Sequence, residues 1–542
     1  MKSTNLPYHA ASMLADRLLN DKVVERIWTR DPLTWRAAPG SADEQSIGSR
    51  LGWLDIGETM PRHLPHLERL RDEIRQDGIE AVYLLGMGGS SLCAEVLRAV
   101  FGVAEGHPRL SVLDTTDELT LTSAVARMTP ARTLFIVASK SGGTVEVASM
   151  ERWFWQEMTR AVGAEAGRHF IAVTDPGTAL EALARTRGYR ATFINPPDIG
   201  GRFSALSLFG LVPAALIGAP VEAILSGGAV MAEGCQQHNH ANAGLELGAF
   251  MGAAALEGRD KLTLALAPSF ASLGLWIEQL VAESTGKHGK GLLPVVDEPL
   301  GRPDEYSNDR AFVSIASESD GADEKRLAAL EEAGFPVLRL SIRHDGLGAE
   351  FFRWEFATAV AGAALGINPF DEPNVSEAKD RTKALLADYA ARGRFDDEPT
   401  TASPALAGEA VGAIRPGDYV AFLSYLPGEG GIEAAVADIR MAIRGRTKAA
   451  TTFGLGPRYL HSTGQYHKGG PNTCVAVVLT ADDETRTPIP EAGYSFSVLK
   501  RAQALGDVQA LDAHGRRVVS LHFADHATAA AKLREIFAEA LR

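Results

Sequence analysis

Cysteine is scarce. The 542 residues hold three, Cys93, Cys235 and Cys474, with no CxxC pair, which excludes a disulfide framework and a cysteine-based zinc site and suits a reducing compartment. Blocks of basic residues are also missing: 54 Lys and Arg against 68 Asp and Glu give a net charge of −14, which argues against a surface that tracks a nucleic-acid backbone. The opening stretch MKSTNLPYHAASMLADRLL lacks the apolar core of a signal peptide, and a long apolar run such as LSLFGLVPAALIGA from 206 falls short of a membrane span. The expectation is a soluble, cytoplasmic protein without nucleic-acid or membrane partners. QQHNH at 236–240 has no suitably spaced carboxylate, so no metal site is expected. Short-period repeats are absent as well.

What is present is an alternation of apolar β-branched runs with helical patterns. AVYLL, LSVLD, TLFIVAS and HFIAVTD, each followed by a helix, predict a doubly wound α/β domain over 81–255, whose last part is a Gly- and Ala-rich helical stretch. KLTLALAPS, RAFVSIAS and PVLRLSI predict a second parallel-sheet domain over 256–390. A helical lead-in occupies 1–80. The Pro-, Ser- and Thr-containing stretch 391–411 reads as a linker, and DYVAFLSYL, ATTFGLG, TCVAVVLT and RVVSLHF make 412–542 an additional α/β unit.

Two of the predicted strands run into glycine-serine loops, GMGGSS at 86–91 and SKSGGTVE at 139–146. Each has the layout of a phosphate cradle: a strand aims the loop, glycines admit an anion to the backbone, hydroxyls donate, and the next helix adds free N–H groups. Gly88, Gly89, Ser90, Ser139, Ser141 and Thr144 are the candidate contacts. GMGGSS lacks the third glycine of a dinucleotide fingerprint, so a phosphate monoester fits better, even with Asp114 ending the next strand. Lys140 has two readings, a solvated loop cation or a partner for phosphate charge. Glu146 either complements a helix N-terminus or serves a site.

Arg202 follows two glycines in DIGGRFSALS and precedes an apolar run, so it is either a buried ion pair or an anion site. In SLGLWIEQLVAESTGKHGKG the apolar stripe Leu273, Trp276, Leu280 continues to Glu283, while Glu278 and Gln279 read as surface residues. A carboxyl on that buried face is a proton-transfer group poised nearer neutrality, or a structural partner of Lys287 or Lys290. LHSTGQYHKGGP at 460–471 clusters His461, Gln465, Tyr466, His467 and Lys468 in what reads as a loop.

Together GMGGSS, SKSGGTVE, GGRFS, AESTGKHGKG, NPFDEPNVSEAK and LHSTGQ resemble the motif set of the glucose-6-phosphate isomerase family, which is built on two sugar-isomerase (SIS) domains. The resemblance covers 81–383 and the LHSTGQ block. It implies a cofactor-free aldose-ketose isomerase of a sugar phosphate, with the phosphate on the glycine-serine loops, Glu283 moving the proton between C1 and C2, Arg202 beside it, and His461 with Lys379 opening the ring. It also makes a homodimer the assembly to expect, since family sites take their histidine from a second subunit. The chain departs from the pattern in three places. LHSTGQ lies after NPFD, as in isomerase halves fused to transaldolase, although 80 preceding residues are too few for a transaldolase barrel. Gly143 replaces a frequent threonine, and Glu372 a glutamine.

A dual phosphoglucose/phosphomannose isomerase and a non-catalytic SIS-domain sugar-phosphate sensor are the alternative readings. The sensor usually carries a basic DNA-binding module, which the acidic balance disfavours. The LHSTGQ position leads to a further expectation: the C-terminal unit brings His461 to the site within one chain.

Overall fold

The computed structural model describes residues 8–542 apart from Pro39, Ser319, Glu429 and Glu484. The first sheet consists of β1 (Ala81–Leu85), β2 (Arg109–Leu113), β3 (Thr133–Ala138), β4 (Phe170–Thr174) and β5 (Ala191–Ile194). The second has β6 (Lys261–Leu266), β7 (Leu293–Val295), β8 (Arg310–Ala316) and β9 (Val337–Ser341). The third has β10 (Tyr419–Ser424), β11 (Ala450–Leu455), β12 (Cys474–Ala481) and β13 (Arg517–Phe523). Their orders are β2-β1-β3-β4-β5, β7-β6-β8-β9 and β11-β10-β12-β13, and every pairing is parallel.

In each sheet the first strand lies between the second and the third, so the winding direction reverses beside it. The crevice for a ligand opens at the carboxyl ends of such neighbours. β1 and β3 pair directly, Leu85 opposite Val137, and so the loops GMGGSS and SKSGGT emerge side by side. The residue pattern follows strand position. β3 is buried along its whole length, whereas the edge strand β2 leaves Arg109 and Ser111 exposed.

The three helices Leu208–Leu216, Val221–Cys235 and Ala243–Leu256 form the Gly- and Ala-rich stretch. They share one core with the helix Leu347–Leu365 and with the helical lead-in. Aromatic contacts tie the lead-in down: Trp53 stacks on Phe203 at 5.3 Å between centroids, and Trp35 donates its indole N–H to Ala359 O at 2.9 Å.

The C-terminal unit is wedged against both other sheets. Its helix Phe496–Ala513 joins the core that contains Trp153 and Phe154 of the first, and Tyr466 packs with Ala282, Leu293 and Val295 of the second. Part of the expected linker is folded: helix Pro404–Gly412 buries Ala407 and Ala410 in the third sheet's core. Ser403 caps it, with Pro404 in its first turn, a start signal hidden by the surrounding polar residues. The short strands β5 and β7 and the last helix, His526–Ala540, are additions to the elements expected from the sequence. Among the described residues no helix is long and apolar enough to cross a membrane.

Candidate active site

GMGGSS turns sharply after β1, with Gly88 at φ +55°. A Cβ there would lie 2.7 Å from His461 O and 2.8 Å from Gln279 Nε2, and one on Gly89 would overlap the Gly201 carbonyl. These glycines thus admit neighbouring protein: they let the loop touch both the Arg202 turn and the His461 turn. Ser90 beside them is buried.

After β3, Gly142 takes φ +65° against Thr178, Ser139 Oγ lies 3.1 Å from Thr144 Oγ1, and Gly143 N donates to Ser141 Oγ at 3.4 Å. The space around Gly143 is open, so a side chain there has room. Helix Val145–Val162 follows without a side-chain cap, which leaves its first N–H groups beside these hydroxyls. Lys140 pairs with Asp175 and donates to Pro197 O at 2.9 Å. Its ammonium is thus held at the loop by protein partners.

Arg202 is buried, and its guanidinium donates four hydrogen bonds. Nε donates to Ser284 Oγ (2.7 Å) and Nη2 to Pro369 O (2.7 Å) and Asp371 O (2.8 Å). Nη1 faces Glu372 Oε2 at 3.0 Å and Glu283 Oε1 at 3.4 Å. Glu283 ends the buried face of helix Leu273–Thr285, as its spacing predicts, and accepts from Gln279 Nε2 at 3.1 Å. Burial raises its proton affinity despite Arg202, with Glu372 adding to the rise. Lys287 is not its partner. That ammonium, lowered to about 8 by burial and by Arg202, pairs with Asp371 at 2.6 Å, and Lys290 donates to Leu365 O.

The surface reading of Glu278 and Gln279 is corrected. Their helix is enclosed on nearly every side, so a single stripe does not describe it. Gln279 Nε2 also donates to His461 O at 2.8 Å, linking the glutamate to the histidine turn. Its i, i+4 spacing to Glu283 was the available signal. Glu278 faces a cavity of about 490 Å³ lined also by Asp297, Arg440, Arg458 and Ser462, and burial and Asp297 push its carboxyl up to about 8.

His461 comes from the segment after β11, which forms a 3₁₀ turn, Arg458–His461, and a short helix, Gly464–Gly469, where the sequence suggests a loop. Its Nε2 lies 2.9 Å from Glu146 Oε1, which also accepts from Gln503 Nε2 at 2.7 Å. Gln503 is oriented in turn by Thr116, whose hydroxyl donates at 2.8 Å. Burial opposes ionisation of Glu146, but His461 and, more weakly, Lys379 hold its carboxyl below the ordinary range. Lys379 itself is exposed, on helix Pro373–Arg392.

The other polar groups of this segment position it. Gln465, fully buried, donates to Gly286 O (2.9 Å) and Asn374 Oδ1 (2.8 Å). His467 meets the Tyr419 hydroxyl and Lys468 pairs with Asp507. Arg458 forks onto Asp114 at 2.7 and 2.8 Å, so the acid at the end of β2 anchors the C-terminal unit. Asp117, Asp483 and His526 bring ligand atoms within 4.8 Å of one another, but the Lys500 ammonium binds both aspartates, at 2.8 and 2.6 Å.

Residues 74–292 match the family model described as phosphoglucose isomerase. The glucose-6-phosphate isomerase of Rubrobacter xylanophilus is 30% identical over 385 residues, 60% of this chain and 88% of that protein. The probable glucose-6-phosphate isomerase of Natronomonas pharaonis is 31% identical, over 57% of this chain and 79% of that one. Among solved structures, a hypothetical protein of Thermus thermophilus superposes with TM-score 0.60 at 25% identity, covering 69% of this chain and 96% of its own. The Chlamydia trachomatis glucose-6-phosphate isomerase shares the fold, with TM-score 0.54 at 18% identity, over 70% and 86% of the two chains. A family match through the first sheet and the Glu283 helix, joined to relatives spanned over most of their length, leads to one assignment: the chain belongs to the phosphoglucose isomerase family.

Proposed function

We propose that the chain interconverts glucose 6-phosphate and fructose 6-phosphate in the cytoplasm, at a site assembled within one polypeptide. The observation that carries this reading is the juxtaposition of two acid-base groups. Gln279 bridges the buried Glu283, beside Arg202, to the turn of His461, itself paired with Glu146.

The substrate phosphate sits on the hydroxyls of Ser139, Ser141 and Thr144 and the N-terminus of the following helix, with Lys140, Gly88, Gly89 and Ser90 at the loop edges. That remote anchor holds the hexose in register. His461, oriented by Glu146, passes a proton to the ring oxygen as the C1 hydroxyl loses one, which opens the ring, and the Lys379 ammonium assists through its field on Glu146. The Glu283 carboxylate then takes the C2 proton. The C2–H electron pair forms the C1=C2 bond, and charge develops on O1, toward which Arg202 supplies a fixed positive field. Return of the proton to C1, with transfer of the O2 proton to O1, gives the ketose. Such a preorganised charge contributes on the order of 3 kcal/mol and a positioned acid-base group roughly 10²–10⁴-fold.

Glu283→Gln is the test. It keeps the shape and the Gln279 neighbour but cannot carry the proton, so turnover falls by orders of magnitude while calorimetry still detects fructose 6-phosphate binding. Retained turnover overturns the reading.

A further inference from the structure

The lead-in meets the charged groups of the site through Arg50. Leu51 bridges Ile199 and Gly52 N donates to Asp198 O at 2.8 Å, so the backbone at 51–52 is fastened to the segment that leads into Arg202. A Cβ on Gly52 would overlap the Asp198 carboxylate, which shows how close that approach is. Arg50 is thereby delivered to the turn at 370–372. Its Nη1 donates to Phe370 O and lies 2.7 Å from Glu372 Oε2. The same Glu372 oxygen stands 3.0 Å from Arg202 Nη1, the nitrogen that faces Glu283 at 3.4 Å. Four charges therefore alternate in a row: Arg50, Glu372, Arg202, Glu283.

In this row Glu372 draws on the guanidinium that also serves Glu283, and Arg50 limits how strongly. Resting on the reading of Glu283 and Arg202 above, we propose that Arg50 and Glu372 are compensating positioning residues that set how much of Arg202's charge reaches the proton-carrying carboxylate. Glu372 keeps Glu283 basic enough to lift a C–H proton. Arg50 keeps Glu372 from occupying Arg202 when charge develops on the substrate. Glu372 is held down to about 2 by Arg202 and Arg50, which outweigh its burial, so it remains charged wherever the enzyme works. The other titratable group facing Glu283 is His461, with Glu146 behind it, and the Lys287–Asp371 pair lies beside Arg202.

The sign follows for the acidic limb of kcat/KM, which reports ionisation of Glu283 in the free enzyme. Glu372→Gln leaves Arg202 unopposed, so Glu283 ionises more readily and the limb moves to lower pH. Arg50→Gln leaves the Glu372 charge unshared and moves it to higher pH. Each shift is on the order of half a unit to one unit. The double variant returns toward the parent, Arg50→Lys stays near it, and KM changes little beside kcat because neither residue touches the phosphate loops.

The experiment is the pH profile of the full-length protein for these four variants and for Glu283→Gln, with melting curves to verify folding. Opposite shifts that cancel support the pair. Shifts in one direction, or a loss of kcat with an unmoved limb, mean that Arg50 merely holds the turn and overturn the proposal while leaving Glu283 in place. A Glu283→Gln enzyme that still turns over removes the foundation as well. If Arg50→Gln does not fold, Glu372→Gln with an unmoved limb overturns the proposal alone.

Discussion

The two carboxylates at the centre of the site, Glu146 in the first domain and Glu283 in the second, are almost equally buried, at 3% and 6% exposure, yet their proton affinities move in opposite directions. Glu146 lies in the first turn of its helix, where the dipole favours an anion, and has His461 for a direct partner. Glu283 lies in the last turn of its helix, where the dipole disfavours one, and must share Arg202 with Glu372. Depth of burial alone therefore does not fix the role of a buried acid. Its position along the helix and the exclusivity of its partner do, and environments that push two titratable groups apart mark out separate tasks. On the mechanism proposed above, one acid is a standing anion that orients a histidine and the other is the carboxyl that exchanges the proton.

The comparison breaks most visibly at the standing anion. Glu146→Gln keeps a hydrogen-bonding group of the same shape but removes the charge opposite His461, and kcat on the ring-closed sugar is expected to fall roughly 10²-fold. Steady-state kinetics check this. Near-parental activity would mean that Glu146 does no more than complement the helix N-terminus.

Glu278, on the same helix as Glu283, sharpens the comparison because it is buried without an ion pair or hydrogen bond among the described residues. With burial pushing it up to about 8, the folded state holds this proton more tightly than the unfolded chain, whose glutamates titrate near ~4.3. Stability contributed by the protonated form is complete below about pH 4 and drains away as pH rises toward about 8. Glu278→Gln should therefore raise the melting temperature little at pH 5 and by several degrees at pH 8.5. An equal gain at both pH values would contradict a perturbed carboxyl there.

Much of this was legible in the sequence, for identifiable reasons. β1, β3, β6 and β10 are central strands buried on both faces, so their apolar runs stand out. Glu283 is legible because it breaks the apolar stripe at Leu273, Trp276 and Leu280. β5 and β7 are too short to signal themselves, and the Pro404–Gly412 helix is disguised by its surroundings. Gln279 escapes a stripe pattern because a stripe assumes one solvent face, and its helix has none to spare. Glu146 meeting His461 across 315 positions, Arg458 meeting Asp114 across 344, and Arg50 reaching Glu372 across 322 are products of tertiary packing that no local pattern records.

The central claim is that one chain supplies both poles of its own site. Its most direct test is complementation: Glu283→Gln and His461→Ala chains, each inactive alone, are co-expressed with different tags, and any mixed oligomer is isolated through both. A site assembled within each chain predicts that the mixture stays inactive, because every site then carries one lesion. Recovery of a substantial fraction of parental activity would mean that His461 serves the Glu283 of another subunit, contradicting the single-chain site.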